Sequence, residues 1–493
     1  MRIGFDNDKY LRCQTEKIQE RIAKFGGKLY LEFGGKLFDD FHASRVLPGF
    51  RPDSKIQMLK NLADKAEIVV VVSALDIEQN KMRGDLGITY DLDALRLIDA
   101  FRDSGLYVGS VCVTHYGAQP SADAFIKRLE NLGIRVFRHY PIDGYPTNVN
   151  HIVSEDGYGR NEYIETTRQL VVITAPGPGS GKMATCLSQL YHDSKRGIRS
   201  GYAKFETFPV WNLPLTHPVN IAYEAATVDL ADVNMIDPFH LEAYKVTAVN
   251  YNRDVEVFPV LRRLFEGIYG ECPYKSPTDM GVNMVGNCIT DDDAVCEAAK
   301  MEVIRRYYNS LNRKRKGLCD AEEIYKAELI MNRAKVSTND RPVIQAAVSC
   351  SEETDEPAAA IELSDGRIVT GRTKELLGSC AAALLNALKA LAGIDDGIHL
   401  IAPSVLEPIC RLKTQSLGSR NPRLHVTETL IALSICAVTD EKARAAYECL
   451  PQLKGCEAHS SVIVASTDAS AFRKLGMNLT CEPVYETKKL FQG

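Results

Sequence analysis

A lysine preceded by three glycines and a serine, at the end of an apolar run, is the arrangement in this chain best suited to holding an anion. The segment reads Gln169-Leu-Val-Val-Ile-Thr-Ala-Pro-Gly-Pro-Gly-Ser-Gly-Lys182. Glycines let backbone N–H groups turn inward with no Cβ in the way. A helix opening at Lys182 adds the partial positive charge of its N-terminus to the full charge of the ammonium. Gly177, Gly179, Ser180, Gly181 and Lys182 are therefore candidate phosphate- or nucleotide-binding residues. The spacing departs from the pattern G-x-x-x-x-G-K-[ST] at two places. Pro176 stands at the first glycine, and Met183 stands at the hydroxyl residue that normally holds magnesium. Ser180 and Thr185 are the nearby hydroxyls that could replace it, with altered geometry.

The elements that must position this loop alternate between strand-like and helix-like runs. Strands are expected at 28–33, 67–73, 107–114, 135–140 and 170–174, with helices at 12–25, 55–66, 91–104, 122–132 and 183–191. Continuous runs such as Glu67-Ile-Val-Val-Val-Val-Ser73 suit parallel strands buried on both faces. This order predicts an open, mostly parallel α/β sheet. In such sheets ligands bind beyond the carboxyl ends of the strands. Gly34, Gly35 and Lys36, then Ala74 and Asp76, then Thr114 and His115 would therefore gather on the same edge as the glycine loop. A bland role is available to each: a turn for Gly34-Gly35, a cap for Asp76, a backbone-bonded loop residue for His115.

Residues 217–254 are dense in Asn, Asp and Glu, including Glu224, Asp229, Asp232, Asp237 and Asp254. Beside a phosphate loop, acidic residues can hold a cation or activate a hydroxyl. Lys182, Asp232, Asp237 and His115 are the candidate catalytic residues; helix capping and solvation are the simpler role for each acid. Tyr244–Tyr251 reads as a strand. A helical middle region follows, with helices at 294–306 and 321–334. After a linker at 336–342 comes a second α/β unit. Its expected strands are 343–349, 358–363, 367–370, 398–402, 461–465 and 479–484, with a hairpin turn at Ser364-Asp365-Gly366. Helices are expected at 374–392, 405–417, 427–450 and 469–475. The division is 1–255 for the P-loop-like α/β domain, 256–337 for the helical region and 338–493 for the C-terminal α/β/α mixed-sheet domain. The last loosely matches the cytidine deaminase topology. Its zinc signature, H-x-E with P-C-x-x-C, is missing, and no zinc is expected.

Composition narrows the classes. The chain has 493 residues, 45% hydrophobic and 25% charged, with a net charge of −5. These values suit a multidomain globular protein with no broad nucleic-acid footprint. Nothing approaches the ~18–20 apolar residues of a membrane span. The fourteen cysteines form no C-x-x-C pair and read as reduced thiols of a cytoplasmic protein.

Three segments, Ala175-Pro-Gly-Pro-Gly-Ser-Gly-Lys182, Tyr274-Lys-Ser-Pro-Thr-Asp-Met-Gly-Val-Asn283 and Phe472-Arg-Lys-Leu-Gly476, make the whole chain resemble a bacterial family of about this length that carries an uncharacterised-protein label. The resemblance implies a three-part architecture and no established activity. Some members have been called ATP-dependent peptidases. The loop at 176–182 would account for the ATP half of that label. No H-E-x-x-H pair or G-x-S-x-G elbow accounts for the other half.

Three functions are compatible with these features. The first is an enzyme of phosphoryl-transfer or hydrolase type that binds ATP, another nucleotide or a phosphorylated small molecule, with magnesium allowed. The second is a non-catalytic phospho-ligand sensor or homo-oligomeric assembly protein. The third is a dinucleotide oxidoreductase. The third ranks lowest, because the loop reads G-x-G-x-G and Glu206 lies about 25 residues on, against about 20 for a ribose-binding acid.

Overall fold

The computed structural model describes residues 2–34, 36–83, 86–230 and 232–487. Gly35, one of the candidate ligand residues, lies outside them. Two compact units form: Arg2–Glu224 with Ala231–Ala299, and Ala225–Leu230 with Lys300–Gly493.

The first unit is built on seven strands: β1 (Leu29–Phe33), β2 (Ala66–Ser73), β3 (Tyr107–Thr114), β4 (Arg135–Arg138), β5 (Leu170–Thr174), β6 (Gly201–Phe205) and β7 (Gly281–Val282). Their order across the sheet is β7-β6-β1-β5-β2-β3-β4, and every neighbouring pair is parallel. Every residue of β1, β2 and β5 is buried, which is why their sequences run apolar without alternation. The chain runs outward through β2, β3 and β4 on one side, returns to insert β5 between β1 and β2, then runs outward through β6 and β7 on the other. The directions diverge at the β5/β2 pair. That is the topological switch point of the sheet, where crossovers leave on opposite faces and open a crevice.

Two helices frame the glycine loop. Helix α1 (Tyr90–Asp103) links β2 to β3; it carries Asp91 and Asp93 in its first turn and Arg102 in its last, matching the helix dipole. Helix α2 (Lys182–Lys195) follows β5, is capped by Gly181 in the left-handed conformation (φ 87°), and has His192 and Lys195 in its last turn.

The second unit holds a mixed sheet of β8 (Ala358–Glu362), β9 (Ile368–Arg372), β10 (Glu457–Ser460) and β11 (Asn478–Cys481), in the order β9-β8-β10-β11. The β8/β9 and β8/β10 pairs are antiparallel and β10/β11 is parallel. Gly366, with φ 85°, makes the expected hairpin turn.

Several element expectations need correction. The run 343–349 is not a strand but part of helix α3 (Pro342–Thr354). Pro342 opens its first turn, and Val343, Ile344 and Ala347 share its buried face, so the apolar residues follow a helical period. Residues 398–402 form no strand, although Leu400 and Ile401 are buried. The strand expected at 461–465 lies just upstream, as β10. The strand expected at 244–251 is a helix, Pro238–Tyr244, followed by a short strand, Val249–Tyr251. Among the described residues no helix is long and apolar enough to cross a membrane.

Candidate functional site

The glycine loop follows β5 at the switch point and lies across the end of β2 to reach β3. Thr114, the last residue of β3, donates from Oγ1 to the Ser180 carbonyl at 2.7 Å. A Cβ on Gly181 would sit 3.2 Å from the Thr114 side chain, and one on Gly177 would fall 2.2 Å from the Tyr90 hydroxyl oxygen. Gly177 is therefore required by the close approach of α1, and Gly181 by both packing and its positive φ. Ser180 is fully buried, and its hydroxyl donates to the Gly177 carbonyl at 3.0 Å, closing the loop on itself.

These contacts leave the donors free. Among the described residues no acceptor takes the backbone N–H of Gly177, Gly179, Gly181, Lys182 or Met183. Lys182 forms no ion pair among them either. Uncommitted N–H groups at a helix N-terminus, with a lysine at its first position, carry local positive charge. Two hydroxyls that a magnesium ion would need are turned elsewhere. Ser180 Oγ is bonded inside the loop, and Thr185 Oγ1 lies 4.0 Å from the Cys112 sulfur under the sheet.

The neighbouring strand ends supply the rest of the edge. Ser73 Oγ, at the end of β2, and Thr114 Oγ1 lie 3.3 and 3.4 Å from His115 Nδ1, and His115 takes φ 50°, a conformation few non-glycine residues adopt. Asp76 is buried and pairs with Lys81 at 3.1 Å; Lys81 sits over the Tyr90 ring. Asp76 thus connects through Lys81 and Tyr90 to Gly177. Gly34 is half-buried at the end of β1, and Lys36 is exposed. A Cβ on Gly34 would make only ordinary contact, 3.8 Å from the Phe205 carbonyl.

The two acids proposed from sequence have separate places. Asp237 caps the Pro238–Tyr244 helix by accepting from His240 N, and its second oxygen accepts from Thr278 N and Oγ1. Asp232 pairs with Arg253 at 2.6 Å.

A second constellation brings Glu206 and Asp254, which the sequence offered only as a loose ribose-binding acid and one acid among several, together with Lys204 and Tyr251. At the end of β6, Lys204 Nζ lies 2.5 Å from Asp254 and 2.9 Å from Glu206, and also contacts the Tyr251 hydroxyl. Tyr251 donates to Glu206 Oε1 at 3.1 Å. On adjacent β1, Glu32 accepts from the Tyr202 hydroxyl at 2.6 Å. Burial pulls Lys204 down, but Asp254 and Glu206 outweigh it and hold the ammonium above the usual lysine range. Two carboxylates share one ammonium, so one proton is in demand. Burial, with Asp254 adding to it against the pull of Lys204, pushes Glu206 up to about 7. The Cys186 thiol of α2 is raised mainly by burial, with Glu32 raising it further and Lys182 lowering it. The sequence signal was slight, a Lys and a Glu two apart on an otherwise apolar strand.

Among the described residues His217, Asp292 and Cys296 have metal-ligand spacing. His217 Nε2 lies 3.1 Å from Asp292 and 3.5 Å from Cys296 Sγ. Its Nδ1, however, accepts the Val219 N–H, so the ring proton sits on Nε2 and points into the group. That tautomer offers no lone pair there for a metal or for deprotonating the thiol.

Fold and site together define a doubly wound α/β protein with a glycine-rich loop at the switch point of a parallel sheet. The chain belongs to the family described as domain of unknown function DUF1846: residues 3–335 match its N-terminal model and 339–491 its C-terminal one. It is 57% identical over 490 residues to a UPF0371 protein of Streptococcus pyogenes serotype M5 (strain Manfredo), and 57% identical over 491 residues to one of Corynebacterium urealyticum. In both cases the similarity covers 99% of each chain. The resemblance to an uncharacterised bacterial family is thereby borne out.

Proposed function

We propose that the chain binds a phosphorylated small molecule, with the phosphate held by backbone N–H groups among those of Gly177, Gly179, Gly181, Lys182 and Met183 and by the Lys182 ammonium. The observation that carries this reading is the row of uncommitted donors at the start of α2, at the switch point where parallel α/β sheets take ligands. The Met183 side chain and the committed hydroxyls of Ser180 and Thr185 favour a phosphate bound directly over a magnesium nucleotide held in the usual way. His115, Ser73 and Asp76, at the neighbouring strand ends, are the polar groups that could act on the ligand.

Calorimetric titration with inorganic phosphate and with ATP, each with and without magnesium, tests the reading. Phosphate binding at millimolar concentration or tighter is expected, with little gain from magnesium. Lys182→Ala should weaken it roughly 10- to 50-fold, the range for losing a charge-assisted contact. No binding of either probe at 10 mM (roughly −2.7 kcal/mol or weaker) would overturn the reading.

A further inference from the structure

His115 is joined to the glycine loop through a single hydroxyl. Its Nδ1 lies 3.4 Å from Thr114 Oγ1, and Thr114 Oγ1 donates to the Ser180 carbonyl at 2.7 Å. The Thr114 side chain also lies 3.2 Å from where a Cβ on Gly181, the cap of α2, would sit. A second hydroxyl, Ser73 Oγ, lies 3.3 Å from the same nitrogen and comes from β2, where Ser73 pairs with Thr114. The Gln119 amide donates to the His115 carbonyl at 3.0 Å and holds the backbone.

These contacts assign the tautomer. A hydroxyl has one proton, and Thr114 gives its own to Ser180. Toward His115 it can only accept, so Nδ1 carries the ring proton and shares it between Thr114 and Ser73. Nε2 then keeps its lone pair. It bonds to no described residue and is not among the buried atoms left without a partner, so it is open to solvent. A neutral imidazole with one nitrogen tied and the other open is a nucleophile. A separate sign of a ligand at this edge is Asp76, one turn beyond Ser73. It is 9% exposed, and its Oδ2 is buried with no hydrogen-bond partner among the described residues, an acceptor that calls for a donor.

We propose that His115 is a catalytic nucleophile that takes a phosphoryl group on Nε2, and that the donor is a phosphoric anhydride, either an acyl phosphate or a nucleoside triphosphate. This inference rests on the phosphate reading of the loop and adds the reaction to it. The Nε2 lone pair forms the N–P bond as the P–O bond to the leaving group breaks. The leaving carboxylate or nucleoside diphosphate keeps the bonding electron pair and needs no proton. Nδ1 keeps its hydrogen, so the positive charge that develops on the ring is shared with the Thr114 and Ser73 oxygens. Loop N–H groups and Lys182 offset the negative charge on the transferring oxygens. No acid among the described residues touches Nε2, which disfavours leaving groups that must be protonated, such as a sugar alkoxide.

The test incubates the full-length protein with acetyl phosphate and, in a separate arm, with ATP and magnesium. Phosphopeptides are mapped under alkaline conditions, which preserve phosphohistidine, and phosphorus NMR separates Nε2 from Nδ1 labelling. At least one donor should label His115, on Nε2, roughly ten-fold or more above any other of the ten histidines; the arm that does so identifies the anhydride. Millimolar inorganic phosphate should slow the labelling, and Lys182→Ala should slow it roughly ten-fold or more. His115→Gln should abolish it in a protein that melts like wild type. The map is made on the wild-type chain, so the outcome stands even if a variant misfolds. Label spread evenly over the exposed histidines, label on Nδ1, or no label from either donor on a protein that binds inorganic phosphate by calorimetry overturns the inference and leaves the phosphate reading standing. Absence of both label and phosphate binding removes that reading, and this inference with it.

Discussion

At residue 177 there is no room for even a methyl group, because the Tyr90 hydroxyl oxygen would lie 2.2 Å from it. Gly177→Ala should therefore destabilise the protein by about 1–3 kcal/mol, the usual cost of overpacking, read as a lower urea midpoint. Tyr90→Ala in the same background should recover part of that loss, because the two sites share one contact. Glu206 makes a pH-dependent prediction. Its folded-state value, near 7, lies above the ordinary carboxylate range. A group raised in this way stabilises the fold when protonated, and the contribution is lost as pH rises through its folded value. Glu206→Gln mimics the protonated form, so its melting temperature relative to wild type should rise between pH 5 and pH 8. A constant difference across that range would show that Glu206 does not titrate there.

At the scale of single elements, Asp237 separates structure from chemistry. It caps the Pro238–Tyr244 helix and satisfies buried Thr278. Asp237→Ala should cost about 1–3 kcal/mol through the lost cap and the unpaired donors, while phosphate affinity stays within two-fold of wild type; a large drop in affinity would give Asp237 a direct role instead. Strands 107–114 and 170–174 were legible to the residue, since β-branched runs buried on both faces carry no competing period. The loop was legible because its glycines and lysine are contiguous. The run 343–349 was not, because a short apolar stretch fits either period and Pro342, a residue that suits a linker end, also suits the first turn of a helix, which it opens here. The Lys204 cluster was hidden for another reason. Lys204 and Glu206 meet Tyr251 and Asp254 only through the fold, across separations of 45 to 50 residues. Nothing local marks such a pair.

For the molecule as a whole, the two family models divide between residues 335 and 339, whereas the compact unit containing the second sheet takes in the chain from Lys300. Arg341 shows why the earlier boundary matters. It is 1% exposed and donates to Glu457, to Thr480 and to the carbonyls of Ala458 and Asn478. Glu457 is also bonded by Arg305, itself paired with Glu302. A fragment beginning at 339 keeps Arg341 and Glu457 but loses Arg305. Fragment 300–493 should therefore unfold at higher urea than fragment 339–493, by about 3–5 kcal/mol if the buried network behaves as others do when one partner is removed. Equal midpoints would place the boundary at the family division.

The insertion of β5 between β1 and β2 also bears on how the protein is made. These two strands never touch; each waits for Leu170–Thr174 to bridge them. On a ribosome adding about 5–20 residues per second, the stretch from Ser73 to Leu170 takes roughly 5–20 s. Throughout that interval the nascent chain carries two mostly apolar strands, each with the edge that will face Leu170–Thr174 still open. Chains stalled or truncated before residue 170 should be clients for chaperones or aggregate, and the glycine loop, emerging directly behind the bridging strand, would be among the first features to take shape once the gap closes.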